Sequence, residues 1–305
     1  MNGVLVINKP AEFTSFDVVA VVRKLSGQRK IGHTGTLDPN ATGVLPLLLG
    51  NATKAQDIIE NHDKEYLAGF KLGYISNTLD IWGETHKTKA PDFLNQGVLT
   101  KQGILNVLPE FTGEISQIPP MFSAIQKDGK RLYDLARQGI EIEREPRKVT
   151  IYSLELVSFN KQEQTGFIKV KCSKGTYIRT LIDDIGRKLS CGAVMNSLER
   201  VNACGYSIDK SFTLDEIRTF AENGELEDKL MSTESLFSSY QYVVISDNQA
   251  RRFSNGGALD ISRTYLSRGC EDKQIYRVKD KEKHFLGLGI ADKETNQLKI
   301  FKLFL

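Results

Sequence analysis

Hydrophobic residues recur along this chain with two different periods, and the switches between them mark out its elements. "GVLVINKP" is a short apolar run halted by Pro10, which predicts a strand. "TSFDVVAVVRKLSG" sets Val18, Val22 and Leu25 at helical spacing, with Thr14 and Asp17 at capping-box distance and Gly27 past the end. A second short helix is expected from Ala52 to Glu60. "KEYLAGFKLG" alternates, placing Tyr66, Ala68, Phe70 and Leu72 on one face of a strand. "YISNTLDIWGETHKTKAPDF" reads as loop, and residues 100–110 read as helix. "EISQIPPMFSAIQKDGK" is extended and broken by two prolines, and "RLYDLARQ" is a short helix. "KVTIYSLELVSF" and "FIKVKCSKG" read as strands, the second running past Gly175 into a helix with the core stripe Ile178, Leu181, Ile182, Ile185 and Leu189. "AENGELED", near 221–228, reads as an acidic linker, and the last segment, with its Gly256-Gly257 turn, as a small β-rich domain. Without a regular βαβ period, the interleaving predicts an α+β fold and not a doubly wound sheet.

Composition narrows the classes. A chain of 305 residues fits one large domain with an appendage, or two domains. The longest apolar runs, such as 44–49, fall far short of the ~20 residues a bilayer demands. "MNGVLVINKP" is too short an apolar stretch for a secretory signal. Cys172, Cys191, Cys204 and Cys270 form no CxxC and have no histidine at zinc-finger spacing, so free thiols in a reducing cytoplasm are expected, with no metal. Net charge is +3, with 12 Lys and Arg against 8 Asp and Glu from 236 to 305. The positive excess therefore lies in the C-terminal segment, a weak pointer to nucleic acid.

The chemistry concentrates in "KIGHTGTLDPNATGVLPLLLG", residues 30–50. A phosphate cradle is one reading, but neither G-x-x-x-x-G-K-[ST] nor a helix-opening G-x-G-x-x-G is present. A second is a rigid loop presenting Asp38 as a nucleophile, since glycines turn the chain tightly and Pro39 biases Asp38 to an extended conformation. A third is an ordinary Asx-type turn, the commoner fate of Asp-Pro. On residue chemistry alone these readings stay open.

The motif "GHTGTLDPNATGVLPLLLGNATK" closely resembles the catalytic motif of the tRNA pseudouridine-55 synthases, the TruB family. "NKP" with Thr14-Ser15, "KEYLAGFKLG", "TLD" with Gly83, "PPMFSAIQKDGKRLYDLARQGIEIEREPRKVTIY" and "KCSKGTYIRTLIDDIG" follow in that family's order, over most of residues 3–205. The C-terminal segment more loosely resembles a PUA RNA-binding domain. The resemblance implies a pseudouridine synthase fold, a mixed and largely antiparallel sheet flanked by helices and loops. It implies a catalytic domain over 1–235, a thumb-like RNA-binding insertion at about 119–150, and a PUA-like domain over 236–305. It further implies that Asp38 is the essential aspartate, paired with a bidentate Arg179, that His33 lies at the flipped-out uridine, and that Tyr66 stacks on the base and serves as proton acceptor. Tyr177 and Leu198 would line the uridine pocket. The implied activity isomerises uridine at tRNA position 55, in the T-loop, without cofactor or metal. The partner would be the tRNA T-arm, with no membrane and no obligatory protein partner, for a cytoplasmic monomer. Alternatives are a synthase of the same superfamily acting on another RNA, a non-catalytic RNA-binding or folding protein, and a phosphoryl-transfer enzyme built on Asp38.

Each residue has a plainer reading. His33 could satisfy turn carbonyls, Tyr66 could be a core aromatic, Asp80 could start a turn, and Arg179 could pair with Asp183 on an exposed helix face. Four positions depart from the family pattern: Glu12 replaces a usual glycine, Asn77 falls in "SNTLD" where T-D-T-x-D is common, Gln126 replaces a lysine, and Glu199 replaces an arginine.

Overall fold

A computed structural model describes residues 1–88, 100–123, 125–127 and 129–305. Strand β1 (Gly3–Lys9) leads into α1 (Ser15–Ser26). The expected box is present: Thr14 Oγ1 accepts from the Asp17 amide, the Asp17 carboxylate accepts from the Thr14 amide, and Gly27 takes the left-handed C-cap. Strands β2 (Ile31–His33) and β3 (Thr42–Leu49) follow. The helix expected at 52–60 is instead a 3-10 turn over Gly50–Ala55. Thr53 Oγ1 donates to the Gly50 carbonyl at 2.8 Å, and buried Ala52 and Ala55, three residues apart, eclipse on one edge of the tighter turn.

Strand β4 (Lys64–Leu72) is central, and the segment expected as loop after it contains a hairpin of β5 (Tyr74–Ser76) and β6 (Thr85–Lys87). Its three-residue arms are too short to show a period, and the Asn77 side chain accepts from the Glu84 amide to close it. The last five residues of that reading, 89–93, lie outside the described residues. Then come α2 (Lys101–Val107), β7 (Gly113–Gln117), β8 (Gln126–Lys127), β9 (Lys130–Arg131), α3 (Leu132–Arg137), β10 (Arg147–Asn160), β11 (Thr165–Cys172), α4 (Ile178–Lys188), β12 (Ala193–Ala203) and β13 (Tyr206–Ser207).

These strands build one mixed sheet in the order β1-β3-β12-β4-β11-β10-β7, with β2 joined to β3 and β13 to β12. Every pairing is antiparallel except β3 with β12. The expected stripe of α4 lies against the expected face of β4, and Ile178, Leu181, Ile182, Ile185, Leu189, Ala68, Phe70 and Leu72 share one core. Burying each large side chain there is worth about 1.5–3 kcal/mol. Both faces of β1 and β3 are covered, Leu5 and Ile7 on one side and Val4 and Val6 on the other, so these strands read as unbroken apolar runs.

The supposed linker at 221–228 is packed structure. Helix α5 (Leu214–Glu222) extends into it, and Leu226 sits in the same cluster as Leu214, Ile217 and Val18. One apolar anchor in an acidic stretch is enough to tie it down. The remaining elements are β14 (Tyr242–Val244), α6 (Asp247–Ser254), β15 (Leu259–Asp260), β16 (Ile275–Lys279), β17 (Phe285–Asp292) and β18 (Gln297–Leu303). They form a second sheet, β14-β16-β17-β18-β15, with its own core around Phe253, Tyr276 and Val278. A further cluster joins Phe237, Leu288 and Phe304 to Val4, Val6, Val44 and Leu48. The small sheet thereby braces the strands that carry the Asp38 loop.

Candidate active site

The chain between β2 and β3 is fixed on both sides of Asp38. The Leu37 amide donates to Ser15 Oγ at 2.9 Å, and Leu37 itself is buried. Lys9 Nζ donates to the carbonyls of Pro39, Pro10 and Phe13 at 2.9, 2.7 and 2.6 Å. The Ala41 amide donates to the Asp38 carbonyl at 3.1 Å, which closes a turn. Arg200, wholly buried, donates to the carbonyls of Gly35, Thr36 and Val44 at 3.1, 3.4 and 2.7 Å. Gly43 has φ of 100° and crosses β12 so closely that a Cβ would collide with the Arg200 carbonyl oxygen. The turn and the presented acid are thus both real. The backbone makes the turn, which leaves the carboxylate, 43% exposed, for another partner.

That partner is Arg179, in the first turn of α4, whose Nε lies 3.0 Å from Asp38 Oδ2. The expected bidentate fork is not formed. Nη1 donates to the Thr78 carbonyl at 3.0 Å and lies 3.7 Å from Asp80 Oδ2, while Nη2 donates to the Phe122 carbonyl at 2.9 Å. Asp80 accepts from Thr78 Oγ1 at 2.6 Å and from the Trp82 amide at 3.1 Å. Burial pushes its carboxyl above the usual range, while Thr78 and then Arg179 pull it back. Leu79 is held at φ of 66°, a conformation costly for a branched side chain, and this bend aims Asp80 at Arg179. The plain pairing of Arg179 with Asp183 does not occur, because Asp183 pairs with Arg187 at 2.7 Å.

Tyr66 and Leu198 are buried on β4 and β12 beside Leu37 and Ala41. Burial pushes the Tyr66 hydroxyl up to about 12, against the Arg200 charge that pulls it down. Tyr177 caps α4, its backbone bracketed by Gln117, which accepts from its amide at 2.8 Å and donates to its carbonyl at 3.0 Å. His33 stands edge-on to the exposed Phe16 ring at 5.5 Å, its Nδ1 buried with no partner among the described residues. Desolvation, then the Arg200 charge, lowers its pKa and keeps the ring neutral at pH 7. Lys9, buried near Asp38, is lowered to about 8 by desolvation.

Sequence reasoning missed Ser15, Gln117 and Arg200, and placed Lys9 only within "NKP". Three cations, Lys9, Lys64 and Arg200, face the loop without an ion pair to a carboxylate among the described residues. Only the fold brings them together.

Beyond this centre, a cleft of about 570 Å³ runs between α4 and the segment after β7, lined by Asn77, Leu79, Met121, Phe122, Arg144 and Asp183. Arg137 lies over the Tyr133 ring and Arg144 pairs with Glu141. Among the described residues, the grouping able to hold a metal ion is Asp280, Glu282 and His284, at the turn between β16 and β17. It shares no residue with the Asp38 centre. No helix among the described residues is long and apolar enough to cross a membrane.

Comparison with known proteins gives the centre a context. Residues 23–178 match the family described as "TruB family pseudouridylate synthase (N terminal domain)". Residues 179–238 match "tRNA pseudouridylate synthase B C-terminal domain". Proteins named tRNA pseudouridine synthase B from Clostridium tetani and Clostridium perfringens are 44% and 41% identical, covering 99% and 98% of this chain and the same shares of their own lengths. A solved structure titled "Crystal Structure of a Cbf5-Nop10-Gar1 Complex" matches with a TM-score of 0.71 at 25% identity, over 99% of this chain and 85% of that one.

Proposed function

The chain belongs to the TruB family of pseudouridylate synthases, and we propose that it isomerises uridine to pseudouridine in tRNA, at the T-loop position 55, with Asp38 as the essential acid. The observation that supports this reading best is the Asp38 carboxylate. It is backed by a turn pinned through Ser15, Lys9 and Arg200, paired with Arg179, and set beside buried Tyr66 and Leu198.

The reaction breaks the N1–C1′ bond, turns the base over and rejoins it through C5. The target atoms are hidden in a stacked arm, so the nucleotide must be turned out into a pocket. His33, neutral and edge-braced by Phe16, fills the space the base leaves or holds the turned-out nucleotide. The base lies against Tyr66, with Leu198 and Tyr177 as walls. Asp38 acts as a fixed anion on the sugar or the base, and Arg179 orients one of its oxygens. Tyr66, a phenol at rest, accepts the proton at C5 or the sugar only as it passes its own hydrogen on to the base, whose N1 gains one in the product. Residues about 119–150 form a thumb that grips the T-arm by shape and backbone, and residues 236–305 form a PUA-like unit adding basic surface. The enzyme acts as a cytoplasmic monomer without an obligatory protein partner.

A partner-dependent synthase of the same superfamily is the second reading, motivated by the fold shared with the chain in the Cbf5-Nop10-Gar1 complex. Incubating the purified protein alone with unmodified tRNA transcript, then mapping pseudouridine chemically, separates the two. Conversion of the T-loop uridine by the protein alone is expected. An unmodified T-loop after prolonged incubation would overturn the proposal.

A further inference from the structure

Arg200 is the largest wholly buried side chain among the described residues, and it is a cation. An arginine taken out of water is normally matched by a carboxylate, because desolvating an unpaired charge is costly. Arg200 makes no ion pair with a carboxylate among the described residues. Its hydrogen-bond partners are the carbonyls of Gly35, Thr36 and Val44, while its charge acts on the hydroxyl of Tyr66. Neutral donors would satisfy carbonyls equally well, so the bonds do not explain the charge.

The register sets Arg200 beside Tyr66. Strand β12 runs antiparallel to β4, with Arg200 directly opposite Tyr66, and parallel to β3, with Arg200 opposite Gly43. One guanidinium therefore holds carbonyls of the loop that presents Asp38 and lies beside the buried tyrosine, on whose hydroxyl its charge acts. Arg200 can only donate, so a guanidinium beside Tyr66 Oη favours that oxygen's lone pairs turned towards it and the tyrosine's hydrogen turned away. The charged and titratable groups that act on this hydroxyl are Arg200, Cys172 and Asp38, and among them only Arg200 is positive.

We propose that Arg200 is a positioning residue for the isomerisation: it orients the Tyr66 hydroxyl towards the pocket and supplies the positive charge against which negative charge on Tyr66 Oη develops. A resting phenol can take up a proton from the substrate only as it gives up its own hydrogen, and that loss puts negative charge on Tyr66 Oη. A buried phenol resists that state, and the adjacent guanidinium relieves the resistance. The same side chain clamps Gly35 and Thr36, so acid and tyrosine share one reference point. This inference rests on the reading that Tyr66 takes part in pseudouridine formation.

The test combines kinetics with a spectroscopic readout that does not depend on turnover. Single-turnover conversion of unmodified tRNA at saturating enzyme is timed for Arg200→Gln and Arg200→Lys, each alone and with Tyr66→Phe. Arg200→Gln is expected to lower the rate at least 100-fold with tRNA affinity within threefold, and Arg200→Lys to recover at least tenfold of that loss. Added to Tyr66→Phe, Arg200→Gln is expected to cost at least tenfold less than it costs alone, because the hydroxyl it serves is gone and only its hold on the Asp38 loop is left to lose. In parallel, tyrosine labelled with ¹³C at Cζ reports Tyr66, its signal assigned by its loss in Tyr66→Phe. That signal is expected to move in Arg200→Lys while the circular dichroism spectrum stays unchanged. It decides the matter where the Tyr66→Phe rate is too slow to time or Arg200→Gln does not fold. Equal costs of Arg200→Gln in both backgrounds, or a Tyr66 signal that stays put, would reduce Arg200 to a brace for the loop. If the unsubstituted protein forms no pseudouridine, the functional reading fails, and the resonance still shows whether Arg200 controls Tyr66.

Discussion

The Asp38 loop and the segment from Pro119 to Pro146 both connect strands of the same large sheet, yet they are secured in opposite ways. The loop is tied to residues remote in sequence: Ser15 lies 22 positions from Leu37, Lys9 lies 30 from Pro39, and Arg200 lies 165 from Gly35. The second segment is tied mostly to itself. The Tyr133 amide bonds the Ser123 carbonyl, the Leu132 amide bonds the Ile125 carbonyl, and Arg144 bonds Glu141. It reaches the centre through the Phe122 carbonyl, which receives Arg179. Long-range anchoring suits a carboxylate that must not move relative to its base and sugar. Local anchoring suits a surface that must conform to an RNA arm. Substitutions should therefore separate into losses of rate in the first region and losses of affinity in the second.

The largest effect expected of a floor residue short of Asp38 itself belongs to Tyr66. Tyr66→Phe keeps the stacking face and removes only the hydroxyl, so single-turnover rates should fall by roughly 10²–10⁴ with tRNA binding unchanged. A near-normal rate would make Tyr66 a platform only. The opposite signature is expected across the cleft. Replacing Arg137, Arg144 and Arg147 together by alanine should weaken binding, and the slope of log affinity against log salt should shrink by about 1 for each phosphate no longer neutralised. The saturated single-turnover rate should stay within threefold. A large fall in that rate would merge the two regions into one.

What was legible in the sequence follows the same division. Periodicity found β4, α4 and their facing stripes because each buries one regular face. It missed the β5–β6 hairpin, whose arms hold three residues each, and mistook a packed turn at Leu226 for a linker. Motif order singled out Asp38, His33, Tyr66, Arg179, Tyr177 and Leu198, and the fold pairs Asp38 with Arg179 and sets Tyr66 and Leu198 in one cluster with Leu37. Arg200 carried no signal, because a lone arginine on a strand resembles any surface residue until the register places it opposite Tyr66. The departure at Glu12 acquires a physical meaning, since its φ of 65° is a conformation that suits glycine.

Two smaller effects sharpen the contrast. Asp184 lines the cleft beside Asp183, and burial, then the Asp183 charge, raises its carboxyl to about 6. The folded protein therefore holds this proton more tightly than the unfolded chain, so the stabilisation present below about pH 4 is lost as pH rises through 6. Asp184→Asn should raise stability by about 1 kcal/mol at pH 8, after discounting for partial exposure, and by almost nothing at pH 4. Urea midpoints at the two pH values would show it. Equal gains at both would exclude the carboxylate's charge as the cause. Smallest of all, Glu12→Gly should raise stability by about 0.5–1 kcal/mol by relieving the left-handed backbone, leaving turnover unchanged. A drop in thermal midpoint would mean that the Glu12 side chain contributes more than its backbone costs.

The central claim is that the pinned loop exists to hold one ionised carboxylate, and Asp38→Asn tests it most directly. The substitution keeps size and hydrogen-bonding capacity while removing the negative charge that faces Arg179. With tRNA saturated by enzyme and pseudouridine mapped over hours, no product at the T-loop uridine is expected, together with tRNA affinity within a few-fold of the unsubstituted protein. Turnover within tenfold of the unsubstituted protein would contradict the account, leaving Asp38 as a residue that only shapes its turn.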